Sequence, residues 1–186
     1  MIHANQDPRV ISGNGTIAVE FLEQMEELGV SLDAIIVSIG GGGMISGIST
    51  YLKTKSPGTL IIGAEAERAC SAYKTLEKGV LVKNPANVQI CSIADSIKSS
   101  LGSVTAPIVI EKVDCVFTVQ EEEIEEAMMF MMERTKQVVE GGCAAAVAVA
   151  IGKKLYERYP EMKNVGVVLC GGNVDMVDLP WMKKLG

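Results

Sequence analysis

Short, continuously apolar runs alternate with longer amphipathic ones along this chain. The short runs are 33–39 (Asp33-Ala34-Ile35-Ile36-Val37 leading into Ser38-Ile39), Thr59 to Glu65, Val113 to Val119 and Val165 to Cys170. They are apolar at consecutive positions rather than at every second one, which predicts strands buried on both faces. Helical spacing predicts helices over 44–54, over 69–78 closed by Gly79, over 121–139 and over 143–158. Another carries Ile17, Val19, Phe21, Leu22, Met25 and Leu28 and stops at Gly29, and a last amphipathic helix is expected after Asn173. Met1 to Pro8 has no periodicity, and Ser12 to Thr16 reads as turn and cap chemistry. Residues 80–112 are mixed, with turns at Asn84-Pro85 and Leu101-Gly102-Ser103 and a short helix near 94–100. Strands and helices in alternation predict an α/β fold: a parallel, doubly wound sheet with helices on both faces.

Two helices stand out. Glu121, Glu122 and Glu123 occupy the first turn of 121–139, where the helix dipole favours negative charge, and Gln120 or Thr118 can cap it. Its Ile124, Met128, Met131 and Met132 read as core rather than as a ligand surface. Gly141-Gly142 is expected to break it. The alanines of 143–158 suit close packing on a sheet.

Ser38-Ile39-Gly40-Gly41-Gly42-Gly43-Met44 joins a predicted strand to a predicted helix. Adjacent glycines leave backbone N–H groups uncovered and permit positive φ. At a helix N-terminus they can form a nest for a phosphate. The same residues also suit a tight, ligand-free turn. In parallel sheets ligands bind beyond the carboxyl ends of the strands. Gly40 to Gly43, Glu65 and Cys170-Gly171-Gly172-Asn173 therefore share one rim. A dinucleotide fingerprint is disfavoured, because Ile45 stands where its third glycine belongs, although Glu65 follows Gly43 by 22 positions.

Composition narrows the chemistry. The 186 residues are 48% hydrophobic but only 4% aromatic, so the core is aliphatic. A net charge of −6 argues against nucleic acid or an anionic membrane as partner. No apolar run reaches the length of a membrane span. The start, Met1-Ile2-His3, carries no signal-peptide pattern. Five dispersed cysteines without a CxxC pair point to neither zinc nor a disulfide framework, and to a reducing cytoplasm. His3 is the only histidine, which nearly excludes Ser-His-Asp and Cys-His chemistry.

Asn5, Gly13-Asn14-Gly15-Thr16-Ile17-Ala18, Gly40-Gly41-Gly42-Gly43-Met44, Gly63-Ala64-Glu65, Ile93-Ala94-Asp95, Phe117-Thr118-Val119 and Leu169-Cys170-Gly171-Gly172-Asn173-Val174-Asp175 occur in this order. Together they resemble the C-terminal part of a pyridoxal-phosphate enzyme of fold type II, in the serine racemase and serine/threonine dehydratase group. The resemblance covers essentially residues 1–186. It implies that Gly40, Gly41, Gly42, Gly43 and Met44 hold the cofactor phosphate through backbone N–H groups, with Asn5 beside the cofactor. Cys170 falls where the family usually has a serine facing the pyridine nitrogen. A neutral partner there weakens the ring as an electron sink, which suits β-elimination of water from a hydroxy-amino acid. Cys170 also suits an inert core thiol.

The resemblance further implies a divalent cation, Mg2+ or Ca2+, at Glu65, the Ala69 carbonyl and Ser71. Ser71 stands where the family has Asp, and a hydroxyl is a weak substitute for a carboxylate. Glu65 equally suits a cap for the helix near 69. Lys136 and Asn173 match positions near a nucleotide effector site. Glu140 matches a family carboxylate whose role is left open.

None of the 13 lysines lies in the family's Ser-Phe-Lys-x-Arg-Gly motif. By the resemblance, 1–186 is the C-terminal half of a family member, an incomplete large domain. The Schiff-base lysine, the second base of the racemases and the small domain would all lie upstream. The reading is thus a pyridoxal-phosphate serine racemase or serine/threonine ammonia-lyase by family, with no catalytic residue in this chain and no substantial activity expected of it alone. A non-catalytic module that binds a phosphate-bearing ligand, or associates with a full-length paralogue, is the alternative. An unpaired sheet edge would favour self-association.

Overall fold

Residues 2–179 and 181 are described by the computed structural model. Its strands form where the sequence is apolar at consecutive positions: β1 (Ala34–Ser38), β2 (Leu60–Ala66), β3 (Cys115–Val119) and β4 (Val165–Val167). All pair in parallel, in the order β3-β2-β1-β4. Ile36 lies opposite Ile62 on one side and Val167 on the other, and Glu65 lies opposite Thr118.

Alternate strand residues feed two separate cores, which is why the strands are apolar at every position. Ala34, Ile36, Ile62, Ala64 and Cys115 pack with α6 (Glu121–Phe130) and α7 (Gly141–Ile151). Ile35, Val37, Ile61 and Val116 pack with α2 (Thr16–Glu27), α3 (Gly43–Lys55) and α5 (Thr105–Lys112). The doubly wound α/β expectation holds. Every residue of α7 from Gly141 to Val149 is buried. Its alanines let the backbone lie close to the sheet, and Gly141 lies so close that a Cβ would press on the Ile93 carbonyl carbon at 2.7 Å. Gly141-Gly142 therefore starts a helix instead of breaking one.

Several boundaries differ from expectation for local reasons. The segment before Thr16 contains a helix, α1 (Pro8–Asn14), where only a turn was expected. Asp7 Oδ1 accepts the Arg9 N–H at 3.0 Å and Pro8 supplies the first helical residue, an N-terminal signature the periodicity conceals. Helix α5 lies inside the stretch read as mixed; its Pro107 sits in the first turn, where an N–H has no helical partner to lose. The predicted helix at 69–78 becomes a 3-10 turn at Glu67–Ala69 followed by α4 (Ser71–Lys78), closed by Gly79 at φ +65 as expected. The short helix expected near 94–100 is a single 3-10 turn at Asp95–Ile97.

Helix α6 begins with the expected cap, a box between Gln120 and Glu123, and buries Ile124 and Met128. It widens into a π turn at Met131–Thr135 and ends at Lys136, φ +62, short of Val139. The predicted helix 143–158 splits at Gly152 into α7 and α8 (Lys153–Arg158). The fourth strand is shorter than its apolar run, although the Val168 N–H still donates to Ile36 O at 3.0 Å. Of the last amphipathic helix, Met176–Asp178 forms a 3-10 turn between Asp175 and an extended Leu179, and residues 180 and 182–186 lie outside the described residues. Among the described residues no helix is long and apolar enough to cross a membrane, and β4 has a neighbour only on its β1 side.

Candidate functional site

The carboxyl end of β1 turns into α3 through Ile39 to Gly42. Gly42 closes this turn at φ +82, in the left-handed region that favours glycine. The neighbouring glycines are needed for close approach. A Cβ on Gly40 would stand 2.9 Å from Ile97 Cα and 3.1 Å from Ser99 Oγ. One on Gly41 would overlap the Asn5 carboxamide, and one on Gly43 would meet Asn5 Cα at 3.1 Å. Thr105 Oγ1 donates to Gly41 O at 2.8 Å and so fixes that peptide. The first helical bond of α3 runs from the Ser46 N–H to Gly42 O. The N–H groups of Gly43, Met44 and Ile45 thus precede any intrahelical acceptor.

These groups open on a cavity of about 240 Å³ lined by Asn5, Ser38, Gly40 to Gly43, Met44, Ser96 and Ile97, with no carboxylate in its wall. Asn5 Oδ1 accepts from Gln6 Nε2 at 3.0 Å, which leaves the Asn5 amide nitrogen on the Gly41 side. Gln6 is anchored in turn, since its Oε1 accepts the Val104 N–H at 2.9 Å. The Ser38 hydroxyl is buried in the same wall without a protein hydrogen-bond partner. An unpartnered buried hydroxyl is costly unless a ligand satisfies it. Ser38, Gln6 and Thr105 were not singled out from the sequence. Only Ser38, a polar residue ending an apolar strand, carried a readable signal.

The second glycine turn closes the other side of the rim. The Cys170 thiol lies 3.5 Å from Met44 Sδ, which joins this turn to the start of α3. Cys170 is exposed, not the core thiol that was the alternative expectation, yet partial desolvation of its sulfur, with Glu140 adding to it, raises the thiol above its ordinary value, so it stays protonated at neutral pH. Burial pushes Cys143 beneath it up to about 11. Glu140 Oε2 accepts the Asn173 N–H at 3.1 Å, and the Glu140 N–H donates to Gly171 O at 3.2 Å. Gly171 sits at φ +92 against that carboxylate, where a Cβ would be 2.7 Å from Oε1. Glu140 thus holds the 171–173 turn in place. Asn173 is exposed, and Lys136 Nζ donates to Glu133 O at 2.6 Å.

Glu65 is the penultimate residue of β2 and is fully buried. Its Oε1 accepts the Ala72 N–H and its Oε2 the Tyr73 N–H, both at 2.9 Å, and Ser71 Oγ lies 3.5 Å from Oε1. It caps α4 from the end of the preceding strand, as the alternative reading held. Burial pushes its carboxyl up to about 7 despite these donors. The Ala69 carbonyl accepts from Asn84 Nδ2 at 3.3 Å. Glu65, Ala69 and Ser71 are therefore engaged with protein partners, and no group of three or more metal-binding His, Cys, Asp or Glu occurs among the described residues. They do not fit a divalent cation, which needs free oxygens and gains from charge.

A two-sided parallel sheet with a carboxylate-free nest of glycines at its carboxyl edge defines an α/β protein whose rim suits an anion such as a phosphate ester. The chain belongs to the pyridoxal-phosphate dependent enzyme family, whose model matches residues 1–171. It is 42% identical over 184 residues to the serine racemase of Bos taurus, covering 99% of this chain and 53% of that protein. It is 40% identical over 177 residues to the L-threonine ammonia-lyase of Geobacter sulfurreducens, covering 94% and 41%. Among solved structures, maize serine racemase superimposes with a TM-score of 0.88 at 33% identity, over 98% of this chain and 54% of that one. A pyridoxal-5'-phosphate-dependent aspartate racemase superimposes with a TM-score of 0.87 at 38% identity, over 97% and 54%. The chain spans about half the length of the curated relatives it matches. The cradle, with its unpartnered Ser38 hydroxyl, fits the phosphate of the family's cofactor.

Proposed function

We propose that these residues form the cofactor-phosphate half of the catalytic domain of a pyridoxal-phosphate enzyme acting on small hydroxy-amino acids. The reaction is either elimination of water and ammonia from serine or threonine, or racemisation of serine. The backbone N–H groups of Gly40, Gly41, Gly42, Gly43 and Met44 would hold the phosphate. The Ser38 hydroxyl and the Asn5 amide nitrogen would donate to the bound group. Cys170, kept protonated, would face the ring nitrogen as a neutral partner, which favours elimination because the leaving group takes the electrons. When bound, pyridoxal phosphate supplies the electron sink for a carbanion at the substrate α-carbon.

The observation that carries this reading is the buried, unpartnered Ser38 hydroxyl in a cavity walled by four glycines. The likeness to racemases and ammonia-lyases across the chain favours it over a non-catalytic phosphate-binding module. A lysine that bonds the cofactor covalently is required for the chemistry. None of the 13 lysines here lies in the motif that carries it in the family. The 186-residue chain alone would then bind cofactor without turning over substrate. Five unpaired cysteines suit a reducing, cytoplasmic setting, and the open β4 edge suits association with another copy or a full-length paralogue. The effector role of Lys136 and Asn173 belongs to the same proposal.

The test incubates the chain with pyridoxal phosphate and L-serine or L-threonine. Pyruvate and 2-oxobutyrate should stay at the level of a protein-free control. Formation well above that level overturns the assignment of the reactive lysine to residues outside this sequence.

A further inference from the structure

Residues 80–100 run from α4 to the wall of the glycine cradle, and one side chain ties the two ends together. Asn84 Nδ2 donates to Ala69 O and to Lys98 O, each at 3.3 Å, and the Asn84 backbone N–H donates to Ser100 Oγ at 2.8 Å. Ala69 leads into α4, which Glu65 caps. Lys98 lies between Ile97 and Ser99, whose atoms stand against Gly40. A half-buried carboxamide thus joins the capped start of α4 to the outer wall of the cavity.

We propose that Asn84 is a positioning residue: its amide bridges the Ala69 and Lys98 carbonyls, occupies the Ala69 oxygen that a divalent cation beside Glu65 and Ser71 would need, and holds Ile97 and Ser99 against Gly40. The role in the cradle rests on reading Gly40 to Gly43 as a phosphate site. The chemistry follows from the oxygens to be satisfied. Carbonyl oxygens brought together at a chain crossing need a positive pole between them. A bound cation supplies one, and so does an amide NH2, whose two hydrogens lie in one plane and reach two acceptors. Both hydrogens of Asn84 are used in this way. Glu65 spends its two oxygens on the Ala72 and Tyr73 N–H groups, and Ser71 adds a hydroxyl and no charge. A cation entering here would compete with the Asn84 amide for Ala69 O and with the α4 N–H groups for Glu65.

The test uses the whole chain and two readouts. In hydrogen exchange, Asn84→Ala should speed the amides of 96–101 about tenfold and leave β1 and α7 unchanged. Asn84→Leu has nearly the same shape and no charge but lacks the two N–H donors, so it should behave like the alanine variant. A packing role would leave it like the wild type. In thermal unfolding, millimolar Ca2+, millimolar Mg2+ or EDTA should not move the wild-type midpoint. Wild-type exchange in Asn84→Leu overturns the proposal, as does a rise of several degrees with either cation that EDTA reverses. Neither readout needs phosphate to bind, so failure of the clip and failure of the cradle are told apart.

Discussion

The Asn5 carboxamide occupies the space that a side chain at Gly41 would need. A methyl group at Gly41 must displace Asn5 from the cradle or push the loop off Thr105, which holds Gly41 O. Gly41→Ala should therefore weaken pyridoxal phosphate binding more than about tenfold, a loss above ~1.4 kcal/mol. An absorbance or fluorescence titration reads this directly. Gly13→Ala is the control: it lies in α1 with nothing within 4 Å of the added Cβ, and should leave affinity unchanged.

Glu65 makes stability depend on pH in a definite direction. Its carboxyl titrates near 4.5 in an unfolded chain and is pushed up to about 7 in the fold by burial. Between these values the folded state keeps a proton that the unfolded chain has released. The contribution of Glu65 is thus full below about 4.5, falls as pH rises toward 7, and then levels, a change of roughly 3 kcal/mol at most. Denaturant midpoints should be higher at about pH 5 than at about pH 8, and Glu65→Gln should remove most of that difference. Gln retains one acceptor for the α4 cap and should cost about 1–3 kcal/mol at low pH, because one N–H is left unpaired.

Helix α7 tolerates little growth. Ala145 is fully buried in a helix with no exposed residue before Ala150. Ala145→Leu should destabilise the fold by about 1–3 kcal/mol or more, read as a lowered melting temperature. An unchanged melting temperature would mean the small-residue run is not a packing requirement.

The two thiols at the rim should be slow to alkylate. Burial holds Cys143 near 11 and raises Cys170, so neither supplies much thiolate at neutral pH. Iodoacetamide modification of Cys170, followed by mass spectrometry, should accelerate as pH climbs past about 9. Cys170→Ser keeps a neutral hydrogen-bonding group and should change cofactor affinity less than about twofold, under ~0.4 kcal/mol.

The sheet and its rim were legible because their signals are continuous. Runs such as Ala34 to Val37 are apolar at every position only when both faces are covered, and four glycines after a strand mark a close approach. Helix α1 was not legible, since it is too short for periodicity and depends on the Asp7-Pro8 start. Helix α5 was hidden by Pro107, which ends helices in their interior but not in their first turn. The early end of the expected 121–139 helix rests on Lys136 adopting a left-handed conformation, which no glycine announces. Glu65 carried two readings from the sequence, and the register decided between them. At the end of β2 its carboxylate reaches the free N–H groups of α4, which makes it a helix cap, and Ser71 brings no second carboxylate for a metal. Gln6, Thr105 and Asn84 work through contacts across long sequence separations, such as Asn84 with Ala69, that no local pattern encodes.

The central claim is that Gly40 to Gly43 form a phosphate cradle that works without a reactive lysine in this chain. A titration of the 186-residue protein with pyridoxal phosphate, repeated with inorganic phosphate as competitor, tests it most directly. The account predicts saturable binding that phosphate displaces and Gly41→Ala weakens more than about tenfold. Absence of saturable binding, or binding that neither phosphate nor Gly41→Ala affects, would contradict it.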